Sequence, residues 1–215
     1  MKKAKASNKI DKLPAIMKPS LSDFEFLILR IMDYIPLYEN DQEIVSRLFI
    51  MENFKKNELI LKEGNLCHKL YFIATGIIRF SLPIDGKERT FVFRDEGVFC
   101  SDLESFLKKT PSKFNISAIE PTTVFSITYD NLQVFYNELT YGDRFGRLAI
   151  EQQFLGAVNH LTSFYSESPE QRYNSFAGQH KDLLQRIPQY HIASYIGVSP
   201  QALCRIKKKL LHKNL

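Results

Sequence analysis

The sequence predicts an α+β chain in which a small all-β unit lies between helical segments. Three observations predict it. Between about Asn57 and Ile127, short runs rich in Ile, Phe, Val and Thr (NELILKEG, KLYFIATGIIRFSLP, RTFVFRDEG, FNISAIEPTTVFSI) are punctuated by Gly64, Gly76, Gly86 and Gly97. That spacing suits an antiparallel sandwich or small barrel. From about Thr140 to Tyr165 the chain runs without proline, with apolar residues at steps of three and four, the pattern of a long amphipathic helix. The last such segment, IASYIGVSPQALCRIKKKL, is two helical patterns joined by a glycine.

The first dozen residues carry Lys2, Lys3, Lys5, Lys9 and Lys12 against Asp11 alone, with no apolar stretch behind them. They read as a basic arm rather than a secretory signal. No run of about 18 apolar residues follows anywhere, so no membrane helix is expected. Residues 21 to 50 show helical periodicity interrupted at Pro36, which fits two short helices. In the β region, Asp85-Gly86 between FSLPI and KERTFVF is a hairpin signal. After Tyr129, Asp130 is expected to cap a short helix, NLQVFYNEL.

The long helix presents two apolar stripes. Ile150, Phe154, Ala157, Leu161 and Phe164 form one, and Phe145, Leu148, Leu155 and Val158 the other. One surface is expected to lie on the barrel and the first stripe to meet its twin in a homodimer. The alternative is burial of both stripes within one chain. SESPEQ then breaks the helix: Ser168 is placed to cap the next one, with Pro169 at its first position and Gln171 at its third.

In the tail, Ile192, Ala193 and Ile196 face inward on a short helix and Gly197 supplies the positive φ that ends it. Ser199 caps a second helix whose first turn holds Pro200, and Leu203, Ile206 and Leu210 face inward. This is helix-turn-helix grammar, in which the start of the second helix enters the major groove of double-stranded DNA. Gln201 and Arg205, four apart, share the outer face. Arg suits guanine O6 and N7, and Gln suits adenine. Lys207, Lys208 and Lys209 suit phosphates. The net charge of +5 is concentrated at the two ends, and no acid follows Gln201. Basic ends on an acidic body point to a polyanion partner. Cys67, Cys100 and Cys204 are scattered and odd in number, as in reduced thiols of a cytoplasmic protein.

From about residue 30 the chain resembles the Crp/Fnr family of bacterial transcription regulators. KNELILKEGNLCHKLYFIATGIIRF and IDGKERTFVFRDEGVF match its barrel strands, and ASYIGVSPQALCRIKKKL its helix-turn-helix. The texture is similar to the effector-orphan branch found in Bacteroidetes. The resemblance implies an N-terminal double-stranded β-helix (jelly roll) of the cyclic-nucleotide-binding type as sensor domain, with a dimerisation helix and a C-terminal winged-helix-like DNA-binding domain. It divides the chain into an arm (1–20), the β-roll with flanking helices (21–139), the dimer helix (140–165) and the helix-turn-helix domain (166–215). It aligns Ser199, Gln201 and Arg205 with residues that cap the recognition helix and meet DNA. RNA polymerase is a further implied partner.

The family's cyclic-AMP site is a Gly-Glu-Leu segment and an Arg-Ser pair that holds the phosphate. Here these positions read Ser101-Asp102-Leu103 and PSKFNISA, which puts Ser112, Lys113 and Asn115 nearest to the clamp. A lysine supplies a point charge but not the guanidinium fork. Cyclic AMP is therefore not expected as the effector, and no cofactor is assigned. With the chain ending HKNL after Leu211, no β-hairpin wing is expected. An iron–sulfur cluster needs about four cysteine ligands, which three scattered ones do not supply. Haem ligation would fall to His68 or Cys67, and a lone histidine beside a turn is more often a surface residue. A cupin-like metal enzyme needs several histidines in the barrel, where only His68 lies. No metal site and no catalytic residues are expected. A protein–protein adaptor with a degenerate DNA module is the remaining alternative; it has no use for an acid-free basic helix.

Overall fold

A computed structural model describes residues 22–213, with side chains described from Ser22 to Leu210. The basic arm lies outside the described residues. Two helices open the described chain. Asp23–Met32 (α1) starts at a capping box, in which Ser22 Oγ accepts from the Glu25 amide and Glu25 Oε2 accepts from the Ser22 amide. Glu39–Leu48 (α2) follows the Pro36 break. Both expected helices are present, and Leu27, Ile31 and Val45 are fully buried.

Eight strands follow: Ile50–Phe54 (β1), Leu59–Leu61 (β2), Lys69–Thr75 (β3), Ile78–Ile84 (β4), Lys87–Arg94 (β5), Phe99–Cys100 (β6), Asn115–Ala118 (β7) and Thr122–Thr128 (β8). They form two antiparallel four-stranded sheets, β1-β8-β3-β6 and β2-β7-β4-β5. The first strand begins seven residues before the expected β region. IMENF alternates too weakly to be read as a strand alone; β1 is held by its ladder to β8, from Ile50 opposite Ser126 to Phe54 opposite Thr122. The Asp85-Gly86 turn is as expected: both residues have positive φ, 51° and 72°, and join β4 to β5. Gly76 has φ +97°, and a Cβ there would sit 2.4 Å from Thr122 Oγ1 and 2.8 Å from the Pro121 carbonyl. Only glycine fits that crossing of the two sheets.

A short helix, Leu103–Lys108 (α3), lies where the sequence pattern assigns no element; Asp102 caps it through the Ser105 amide, 3.1 Å away. One local expectation is corrected. The next helix, Tyr129–Glu138 (α4), is capped by Thr128 rather than by Asp130, because the Thr128 hydroxyl reaches the Asn131 amide at 3.3 Å. The long helix spans Gly142–Ser166 (α5). It touches the roll through Phe145, Ala149 and Gln153, and Phe145 packs edge-on against Phe99 and Phe135. Beyond Gln153 its apolar residues leave the roll. Leu155 and Val158, expected to lie on the barrel, are 62% and 42% exposed.

Helices Pro169–Gln179 (α6), Leu183–Arg186 (α7), Gln189–Ile196 (α8) and Pro200–Lys213 (α9) complete the chain. The Ser168 capping box is formed as expected. Residues 166–213 hold no strand, so the wing of the expected winged-helix-like domain is absent among the described residues. This module has its own apolar cluster around Phe176, Leu183, Ile192, Ala193, Ile196 and Leu203, and the cluster also contains Ile77 and Ile119 of the roll. The α8 helix lies on β5: Ser194 Oγ accepts from the Thr90 amide at 2.9 Å, and Phe93 packs against Tyr195 and Phe176. Arg186 clamps the two units from the side, donating to Glu96 at 2.5 and 3.2 Å and to Glu120 at 3.1 Å.

Candidate nucleic-acid interface and ligand cavity

The helix-turn-helix residues take the places their spacing requires. Gly197 ends α8 with φ +82°, and Val198 donates back to the Ala193 carbonyl at 2.9 Å. Ser199 Oγ accepts from the Ala202 amide at 3.2 Å, which fixes the start of α9. Ile192, Ala193, Ile196 and Leu203 are buried, and Ile206 and Leu210 half-buried, so the two helices cross on small and branched side chains. That crossing leaves Gln201, Arg205 and Lys208 exposed on the outer surface of α9.

The other two lysines are already engaged. Lys207 Nζ donates to Gln189 Oε1 at 2.9 Å, and Lys209 pairs with Glu170 at 2.5 Å. Glu170 comes from α6, far from α9 in sequence, so this neutralisation is invisible to a reading of local charge. Among the described polar side chains of α9, Gln201, Arg205 and Lys208 are the ones most free to meet a partner.

The stripe assigned to dimerisation is solvent-exposed in the single chain. Ile150, Phe154, Leu161 and Phe164 are 47%, 65%, 59% and 40% exposed, and Ala157 is exposed with them. They repeat at alternating steps of four and three, the a/d seam of a coiled coil.

The clamp residues do not converge. Ser112 is buried, with its hydroxyl spent on the Phe114 backbone. Lys113 is 74% exposed and pairs with Glu104 at 3.1 Å. Asn115 bonds Glu88 and the Glu63 amide. Asp102 is used up as the α3 cap. Of the six sequence candidates, Ser101 and Leu103 line the cavity between the roll and α5, and the other four do not line it.

That cavity, about 210 Å³, lies between the roll and the first turns of α5. Leu70, Phe80, Phe91, Val92, Phe99, Cys100 and Phe114 form its wall on the roll side, and Ala149, Ile150 and Gln153 its α5 side. Phe80, Phe91 and Phe114 form a trio of rings with centroids 5.2 to 6.1 Å apart. Phe91 is the extra residue of a β-bulge, since Phe80 faces Val92 and Ser81 faces Thr90. The bulge lets Phe91, Val92 and Arg94 all line the cavity. Burial pushes the Cys100 thiol up to about 12, which leaves it neutral. The one charged group in the wall is Arg94, whose Nη2 donates to Gln153 Oε1 at 3.1 Å. Among the described residues no carboxylate pairs with it, and no group of three or more His, Cys, Asp or Glu is placed to hold a metal ion. No helix among those residues is long and apolar enough to cross a membrane. The cavity is not legible in the sequence because β3, β4, β5, β6, α3, α5 and the segment before β7 each contribute only a few residues to it.

Residues 51–150 match the family model of the cyclic nucleotide-binding domain. No curated protein matches the chain. Among solved structures, the chain is similar to FixK2 from Bradyrhizobium japonicum, with TM-score 0.67 and 16% identity over 78% of this chain and 86% of that one. It is also similar to a transcriptional regulator of the Crp/Fnr family from Eubacterium rectale, with TM-score 0.65 and 16% identity over 84% and 88%. The c-di-GMP-responsive global regulator CLP of Xanthomonas campestris gives TM-score 0.64 and 14% identity over 83% and 94%. The chain thus matches the cyclic nucleotide-binding domain over residues 51–150, and its roll, long helix and helical C-terminal module have the fold of these solved Crp/Fnr-type structures.

Proposed function

We propose that this chain is a homodimeric, sequence-specific DNA-binding transcription regulator of the Crp/Fnr type that acts in the cytoplasm and performs no catalysis. The observation that carries the reading is the α9 surface: a capped helix in a helix-turn-helix, with Gln201, Arg205 and Lys208 free on the face opposite buried Leu203. An arginine and a glutamine one turn apart suit adjacent base edges, and the lysine suits the phosphate backbone. The a/d stripe on α5 would place two such helices about a two-fold axis. RNA polymerase is the partner through which a bound regulator of this kind would act on transcription.

The effector is not cyclic AMP on this reading. Ser112 and Lys113 do not line the cavity and are engaged by the Phe114 carbonyl and by Glu104, and Phe114 takes a place in the wall. Nor does c-di-GMP, the ligand named for the Xanthomonas relative, suit a cavity of about 210 Å³, below the ~300–1,000 Å³ that hold drug-sized molecules. Selection of bound sites from random double-stranded DNA tests the proposal. An enriched palindrome with half-sites about 34 Å apart supports it. Recovery of no preferred sequence, with binding that tracks salt alone, would favour the adaptor.

A further inference from the structure

We propose that the cavity between the roll and α5 takes a small apolar carboxylate, a molecule of about one ring or a short alkyl chain ending in an acid, whose charge pairs with Arg94. The inference rests on reading the chain as a ligand-responsive DNA-binding regulator and names the ligand class of that same site.

Size and lining set the apolar part. An apolar cavity of about 150 Å³ takes up benzene. The space here is about 210 Å³, which leaves room for a ring and a two- or three-atom tail. Its walls are phenyl rings and aliphatic chains, with no phosphate-binding glycine loop and no free lysine.

Charge complementarity sets the acid. Arg94 is half-buried at the end of β5, and its side chain has one neutral partner, the Gln153 carboxamide. The other half-buried or buried guanidiniums each have two acceptor groups: Arg30 has Asp33 and the Gly97 carbonyl, Arg79 has Glu88 and Thr90, Arg172 has two backbone carbonyls, Arg186 has Glu96 and Glu120. A guanidinium at an apolar wall without a carboxylate is costly unless an anion completes it. A planar carboxylate matches its fork in two parallel hydrogen bonds. A bound carboxylate would compete with Gln153 Oε1 for Arg94.

That exchange would reach the DNA-binding module. Arg94 and Phe91 face the cavity, whereas Phe93 packs on Tyr195 and Phe176 and the Thr90 amide bonds Ser194. One strand therefore carries the ligand wall on one side and the docking surface of α8 on the other, and Gln153 ties it to the dimer helix.

Calorimetry on the full chain with phenylpropionate and hexanoate tests the assignment, with phenylpropionamide and hexanol as neutral matches. The acids should bind about tenfold or more tightly than their neutral matches, the value of a hydrogen bond to a charged group. Arg94→Gln should remove that preference and leave the neutral molecules bound as before. Ala149→Leu, which fills the α5 side of the cavity, should weaken all four, and the thermal melt of each variant reports that it folds. Equal affinity for acid and amide, an Arg94→Gln chain that keeps the preference, or a filled cavity that binds as well as the open one would overturn the proposal. So would binding of none of the four to a folded chain. None of these readouts involves DNA, so failure of the DNA-binding reading appears separately, as a chain that binds the acid and selects no DNA sequence.

Discussion

At the scale of single residues, Arg205 and the lysines of α9 should separate specificity from affinity. Arg205 is exposed one turn after Gln201, on a helix whose start is fixed by the Ser199 cap. Arg205→Ala should cost ~1–3 kcal/mol at one base position per half-site and relax preference there, as read by binding to single-base variants of the selected site. Lys208→Ala should instead weaken binding to all sequences and reduce the salt slope by about one unit. The Lys209→Ala change should do less, because Glu170 already holds that ammonium at 2.5 Å; a salt series on both variants compares them. The shared exposed face of Gln201 and Arg205 was legible in the sequence because helix periodicity is local: four residues along a helix is one face. The ligand cavity was not. Ser101 and Leu103 were found by alignment to a family pattern, but Arg94, Phe91 and Gln153 meet only after a bulge, a sheet and a long helix are assembled. The Lys209–Glu170 pair was hidden for the same reason.

At the scale of elements, α5 and the sheet crossing at Gly76 carry separate predictions. The α5 seam from Ile150 to Phe164 leaves large apolar side chains in water, a contiguous exposure that marks an association surface. Phe154→Glu with Leu161→Glu should give monomers in sedimentation at concentrations where the unmodified chain is dimeric, with little change in the melting of the roll. A monomeric unmodified chain at micromolar concentration would sink the dimer assignment. Gly76→Ala should destabilise the roll by ~1 kcal/mol or more, since it adds both a left-handed φ and a contact with Thr122 and Pro121; a denaturant melt measures it. Periodicity revealed α5 but not where it leaves the roll, because the sequence places Leu155 and Val158 on a second stripe without saying whether anything lies beneath. Past Gln153 the side of α5 that carries Leu155 and Val158 is left exposed. Strand β1 was missed by the opposite failure, since its identity comes from its partner β8 rather than from its own alternation.

At the scale of the whole molecule, the docking of the C-terminal module on the roll should depend on pH. Burial lowers His160, His180 and His191, and Arg79 beside it adds to the depression of His191, to about 4. All three lie near the α8–β5 contact: His160 stacks on Tyr195, His180 packs on Phe176 with Asp95 and Arg94 near it, and His191 lies near Arg79 and Glu88. A histidine lowered in the docked state takes up a proton on opening. Docking is therefore at full strength above the ordinary histidine range, near 6.5, and weakens as pH falls from there toward 4. Burial alone would raise Glu96, but hydrogen bonds from Arg186 and from backbone amides outweigh it, so that carboxylate stays ionised through the same window. Hydrogen exchange in α8 and β5, corrected for its intrinsic pH dependence, should be faster relative to the roll's core at pH 5 than at pH 7. Arg186→Ala should loosen the same contact at pH 7 by ~1–3 kcal/mol, because it leaves Glu96 and Glu120 without their shared cation. The shared cluster has a consequence for synthesis. The roll cannot close until Thr128 has left the ribosome, since β8 pairs with both β1 and β3. The helix-turn-helix emerges after that, and its apolar core is completed by Ile77, Ile119 and Phe93 of a surface already made. The newly translated chain thus meets its own template in order, roll first and helical module second, and a ribosome stalled before residue 166 would release a roll with an uncovered apolar face.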